Sequence, residues 1–104
     1  MLQIAIIGLG TLGIRMLEEL AESDAELIII DKDEEIVEQY KKFATAPYIL
    51  DATNENALQE VISKDLDVAI IDMSNNLEAA IMTTNYLHKL GIKKKGFYKK
   101  RTEI

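Results

Sequence analysis

Apolar residues fall into short unbroken runs, separated by stretches in which they recur every third or fourth position, and the two patterns alternate along the chain. The first run is Leu2, Ile4, Ala5, Ile6 and Ile7, of the kind found in strands buried on both faces, and it ends at Gly8. From Thr11 onward, Leu12, Met16, Leu17, Leu20 and Ala21 recur at helical spacing, with Glu18, Glu19 and Glu22 turned to solvent. A second run, Leu27 to Ile30, closes on Asp31. Asp33 to Phe43 then reads as a helix, with Ile36, Val37, Tyr40 and Phe43 on one side and acids in the first turn, where the helix dipole favours them.

Pro47 ends that helix, and Tyr48, Ile49 and Leu50 form a third strand closing on Asp51. Thr53 or Asn54 caps the next helix, which carries Ala57, Leu58, Val61 and Ile62. A fourth strand, Val68 to Ile71, closes on Asp72, and Ser74 or Asn75 caps a long helix stopped by Gly91. Its inward stripe reads Leu77, Ala80, Ile81, Thr84, Leu87 and Leu90, while Met82, Tyr86 and Leu90 mark a side that is either exposed or part of a core helix buried all round, and a further strand is expected around Gly96 to Lys99. Strands alternating with helices predict an α/β fold, a Rossmann-like doubly wound parallel sheet in three layers. The count of about five strands makes it incomplete, with the last helix and strand missing.

Length and charge narrow the picture. A chain of 104 residues holds one domain. Residues 1–92 carry six basic against seventeen acidic side chains, whereas residues 93–104 carry six basic against one acidic, so a folded acidic body is followed by a basic strand or tail. An acidic body argues against nucleic acid as a partner, because neutralising phosphates needs a basic face. Cysteine is absent, which excludes disulfides and thiolate metal sites and fits a reducing, cytoplasmic setting.

The candidate chemistry lies at the turn Gly8, Leu9, Gly10, Thr11, Leu12, Gly13. The GxGxxG pattern is weak alone, but here it follows a first strand and opens a helix, where a diphosphate-binding turn must stand. Gly8 permits the tight turn, Gly10 lets the backbone approach a diphosphate, and Gly13 lets the helix pack on the strand. The helix N-terminus then offers N–H groups to the phosphates. Asp31, at the end of the second strand, completes the fingerprint as an acceptor for ribose hydroxyls and disfavours a 2′-phosphate, an effect that the neighbouring Lys32 moderates. Asp51, Ala52, Thr53 and Asn54, and Asp72, Met73, Ser74 and Asn75, emerge at the same carboxyl edge of the sheet. Asp51 to Thr53 are placed to edge an adenine, and Asp72 to Asn75 to flank a ribose or the diphosphate. The ligand read from these loops is NAD(H) or ATP/ADP. Each of Asp31, Asp33, Asp51 and Asp72 is accounted for by a strand end or helix start, so no dedicated metal site is expected.

With the glycine turn, Asp31-Lys32-Asp33, the run Asp51-Ala52-Thr53-Asn54 leading to Leu58, and the strand Asp67 to Ile71 before Ser74 and Asn75, the chain resembles the N-terminal Rossmann lobe of the TrkA family, also called RCK or KTN domains. The likeness covers nearly the whole chain, and it divides into a nucleotide-binding domain, residues 1–92, and the basic segment 93–104. It implies a cytoplasmic regulator of a membrane-embedded potassium channel or transporter, peripheral to the inner face of the membrane through that partner, and assembled as a homodimer or higher ring. By the resemblance, Gly8, Gly10, Thr11 and Gly13 meet the diphosphate, Asp31 and Lys32 the adenosine ribose, and Asp51 to Thr53 the adenine. The alternative reading is the cofactor half of an NAD-dependent oxidoreductase. Such an enzyme needs a proton-handling group beside the cofactor. His88 is the only histidine and falls near the end of the long helix, and no tyrosine in the body of the chain has a lysine four residues on, so a regulatory domain rather than an enzyme is expected.

Overall fold

The computed structural model describes residues 1–73, 76–92 and 95–97. Its strands are β1 (Gln3–Ile7), β2 (Glu26–Asp31), β3 (Ala46–Ile49), β4 (Val68–Ile71) and β5 (Lys95–Phe97), and its helices are α1 (Thr11–Leu20), α2 (Glu34–Tyr40), α3 (Glu55–Val61) and α4 (Leu77–Lys89). All pairings are parallel, in the order β3-β2-β1-β4-β5. That order is the first five strands of a doubly wound sheet, with β1 at its centre and the chain reversing direction across the sheet between β1 and β4.

Alternate residues of each strand face opposite sides, so two cores form. Ile4, Ile6, Leu27, Ile29 and Ile70 meet Leu17 of α1 and Val37 of α2 on one face. Ala5, Ile7, Ile30, Ala69 and Ile71 meet Leu58 of α3 and Tyr86 and Leu87 of α4 on the other. The three central strands are apolar at nearly every position because each is covered on both sides. Among the described residues, no helix is long and apolar enough to cross a membrane.

Several boundaries differ from the sequence expectation for identifiable reasons. The second helix ends at Tyr40, and Lys41–Phe43 form a single 3-10 turn. Pro47 lies inside β3 rather than before it. It is tolerated because β3 is an edge strand pairing only with β2, so its missing N–H removes no bond on an inner ladder. The last strand begins at Lys95, one residue before the expected Gly96, and Tyr98 and Lys99 lie outside the described residues.

The long helix corrects two expectations. Its cap is Asn76, whose side chain accepts the Ala79 N–H at 3.0 Å, and not Ser74 or Asn75, which lie outside the described residues. Its buried stripe is Ala79, Thr83, Tyr86 and Leu87. Leu77 and Ile81, read as inward, are 53% exposed, whereas Tyr86, read as either exposed or part of a helix buried all round, is buried, with its hydroxyl 3.4 Å from Gln59. A helix with apolar residues on most sides leaves its facing angle undetermined by periodicity. Here the small Ala79 and Thr83 take the close approach to the sheet, and the larger Leu77, Ile81 and Met82 are left outside.

Candidate nucleotide site

The loops after β1, β2, β3 and β4 converge at the carboxyl edge of the sheet around a cavity of about 370 Å³. Gly8, Leu9 and Gly10 form one wall, Asp31 and Lys32 the second, Leu50 to Thr53 the third, and Asp72, Met73, Asn76 and Ala79 the fourth. Of the residues singled out from sequence, Gly8, Leu9, Gly10, Asp31, Lys32, Asp51, Ala52, Thr53, Asp72 and Met73 line this cavity. Thr11, Leu12 and Gly13 form the first turn of the adjoining helix α1. Ser74 and Asn75 lie outside the described residues.

The glycine turn is held by strand-end acids from both sides. Gly8 continues the sheet ladder, donating its N–H to the Ile30 carbonyl at 2.8 Å, and then turns with φ of +100°. From the β2 side, Asp31 accepts the Leu9 N–H at 2.7 Å on Oδ2 and the Asp33 N–H at 2.9 Å on Oδ1. From the β4 side, Asp72 accepts the Gly13 N–H at 2.7 Å. Leu9 contributes to the site through its backbone, because its side chain is buried in the core beneath α1.

The glycines are required by these close approaches. A Cβ on Gly8 would overlap the Asp72 carbonyl, and one on Gly13 would overlap the Gly8 carbonyl. A Cβ on Gly10 would stand 2.7 Å from Asp72 Oδ2, so the space read from sequence as clearance for a diphosphate is bounded in this structure by a carboxylate. A side chain placed at Gly10 therefore strikes Asp72 before it meets any ligand.

Helix α1 begins after Gly10, which has no side chain to cap it. Its third N–H, from Gly13, is taken by Asp72, and the fourth, from Ile14, bonds the Gly10 carbonyl at 2.9 Å. That leaves the N–H groups of Thr11 and Leu12, which a helix cannot satisfy internally. These two donors, the glycine cradle and the dipole of a helix of ten residues fit an anionic group.

Asp31 retains a further lone pair on each oxygen beyond its two backbone donors, so it can still accept from ribose hydroxyls. Across the cavity, Asp51 accepts both the hydroxyl (2.7 Å) and the N–H (2.9 Å) of Thr53. The Thr53 hydroxyl, then its N–H, hold the Asp51 carboxyl below the ordinary carboxylate range against a small desolvation penalty, and the positive charge of Lys32 acts in the same direction. Asp51 is thus a negative group held by its own loop, followed by Asn54, whose side chain caps α3 by accepting the Ala57 N–H at 3.1 Å.

The TrkA-N domain family matches residues 4–100 of this sequence. The chain belongs to the TrkA-N domain family. Ktr system potassium uptake proteins C and A of Bacillus subtilis (strain 168) are each 34% identical to it over 90 residues. Those alignments cover 86% of this chain but 41% and 40% of the two relatives, so the TrkA-N chain spans about two fifths of the length of the curated proteins it matches. The crystal structure of the TrkA-N domain of inner membrane protein ybaL from Escherichia coli superimposes with a TM-score of 0.76, over 91% of this chain and 70% of that one. At 20% identity that likeness establishes the shared fold.

Among the polar residues lining the cavity, Asn76 was not drawn from sequence as a site residue. Asn76 was hidden because its neighbours Ser74 and Asn75 are equally good caps by type. Asp72 was placed with Met73 to Asn75 beside a ribose or the diphosphate, but as a strand-end acid like the other three. The register signal that sets it apart is that β4 pairs with β1, Ile7 opposite Ile71, which brings the residue after Ile71 against the glycine turn.

Proposed function

We propose that this TrkA-N domain binds an adenine nucleotide, NAD(H) or ATP/ADP, by its diphosphate, and that the bound nucleotide regulates a membrane potassium transporter rather than serving as a substrate. The observation that carries the reading is the start of α1, where two N–H groups without a partner among the described residues adjoin a glycine cradle opening on the shared cavity. In this reading Asp31 and Lys32 hold the adenosine ribose and the Asp51 to Thr53 loop the adenine edge, supported by their lining the same cavity as the glycine turn. The potassium connection rests on the names of the relatives. The titratable groups lining the cavity among the described residues are Asp31, Lys32, Asp51 and Asp72, with no histidine or tyrosine beside them, which supports a sensor over an oxidoreductase.

A sensor needs two states that bind the nucleotide differently, with a coupling of typically about 1 to 3 kcal/mol. Assembly of several copies supplies such states. The exposed Leu77, Ile81 and Met82 on α4 support a face for a second copy, giving the homodimer or ring in the cytoplasm on the inner side of the membrane.

Thr11→Glu tests the nucleotide site without disturbing the core, since Thr11 is exposed at the first position of α1, where an acid suits the helix dipole. By calorimetric titration, ADP affinity is expected to fall about fivefold or more, from like-charge repulsion close to the phosphates. Adenosine affinity should hold, as should the melting temperature. Unchanged ADP binding in Thr11→Glu would remove the diphosphate from this helix start.

A further inference from the structure

The start of α1 and the carboxylate beside it have opposite preferences. Free N–H groups and the helix dipole, equivalent to roughly +0.5 elementary charge, favour an anion there. Asp72 places a full negative charge on the same turn, hydrogen-bonded to Gly13. Asp72 is only 3% exposed, and its Oδ1 is buried with no hydrogen-bond partner among the described residues. A carboxylate buried with one oxygen unmatched costs stability unless something else requires it. Asp72 also lines the cavity, next to Gly10, whose missing Cβ leaves room for it.

Position along the sheet gives this charge a direction. Asp31 marks the β2 side of the crevice, the glycine turn its middle, and Asp72 the β4 side. With the adenosine held on the β2 side and the diphosphate at α1, whatever follows the second phosphate lies toward β4. In ATP this is a third phosphate carrying most of the remaining charge. In NAD it is a neutral ribose and the nicotinamide. The one cation lining the cavity among the described residues, Lys32, follows Asp31 on the opposite side and faces Asp51.

We infer that Asp72 is a specificity-determining residue that makes this site select a dinucleotide over a nucleoside triphosphate, by setting a buried negative charge where a terminal phosphate would lie. The inference rests on the nucleotide reading above and adds which nucleotide the site accepts. It requires no direct contact between Asp72 and the ligand, because an unscreened charge acts through the low-dielectric loop around it. Asp72 does not close the site to every anion. Its effect grows with the charge the ligand carries toward β4.

Titrations of the purified chain with adenosine, ADP, ATP and NAD in chelator-treated buffer test it. In the unmodified protein, NAD should bind more tightly than ADP, and ADP more tightly than ATP. Asp72→Asn keeps an amide oxygen to accept the Gly13 N–H and removes the charge. It should tighten ATP binding by about tenfold or more, ADP binding by less, and leave adenosine and NAD within about threefold. ATP binding as tightly as NAD in the unmodified protein overturns the inference, as does an Asp72→Asn variant in which all four ligands change equally or not at all. The ranking in the unmodified protein stands as a test even if the variant does not fold. Failure of all four ligands to bind the unmodified protein overturns the nucleotide reading together with the inference, whereas binding without any dependence on charge overturns the inference alone.

Discussion

Gly8→Ala is expected to lower the unfolding free energy by about 3 kcal/mol or more, read from the midpoint of a urea transition at unchanged slope. Two separate penalties combine. At φ of +100° any L-side chain is strained, typically by about 1 to 3 kcal/mol. The added Cβ would also overlap the Asp72 carbonyl, which belongs to the backbone immediately after β4 and cannot rotate away. Relief requires β1 and β4 to separate, and the Asp72 N–H bond to the Ile7 carbonyl, 2.8 Å long, lies at that junction. Small domains have only about 5 to 15 kcal/mol in total, so a large share of the stability is at stake. A loss below about 1 kcal/mol would mean that the turn relaxes and that the β1–β4 junction is softer than described. Gly91→Ala is the natural control. Gly91 also has positive φ, of +85°, but a Cβ there meets nothing within 4 Å, so strain acts without overlap and the effect should be smaller.

Leu58→Ala is expected to cost about 2 to 5 kcal/mol by the same measurement. Leu58 is fully buried and is the one buried residue of α3, a helix of seven residues that holds few other anchors. It packs in the core that also contains Ala52, so the cavity left by its truncation would open next to the loop carrying Asp51 and Thr53. That loop is otherwise fixed by short local bonds, Asp51 to Thr53 and Asn54 to Ala57. A destabilisation within the measurement error would show that the α3 face of the sheet is not the packed core it is taken to be.

The fold was legible in the sequence to the degree that burial leaves a period. The central strands β1, β2 and β4 are covered on both faces, so their runs of Ile, Leu, Val and Ala have a single reading, and the observed β4, Val68–Ile71, has the bounds expected. Edge strand β3 was harder, because its burial alternates and Pro47 reads as a breaker without knowledge that one side of the strand is unpaired. The facing of α4 was misread for a different reason. Apolar residues on most of its surface carry no angular information, and only the sheet decides that Ala79 and Thr83 point inward while Leu77 and Ile81 do not. Caps follow the same logic: Ser74, Asn75 and Asn76 are chemically alike, and the start of the helix at Leu77 selects Asn76.

The candidate site shows where residue type stops being informative. Strand-end acids can cap, clamp or bind, and sequence gives all of them one appearance. Asp31 was read as a ribose acceptor, and it also fastens Leu9 and Asp33. Asp51 is fastened by its own loop through Thr53. Asp72 differs in being buried with one oxygen unmatched among the described residues, a consequence of parallel pairing between strands whose partners, such as Ile7 and Ile71, are far apart in sequence, and so invisible to any local motif.

The most direct test of the diphosphate site is an amide chemical-shift titration of the isotopically labelled chain with ADP. The expected result is that the largest shifts fall on Leu9 to Gly13, with a second group at Asp31 to Asp33 and a third at Asp51 to Thr53, and that adenosine moves the second and third groups but not the first. Shifts centred elsewhere on the chain, or identical responses of Thr11 and Leu12 to ADP and adenosine, would contradict it.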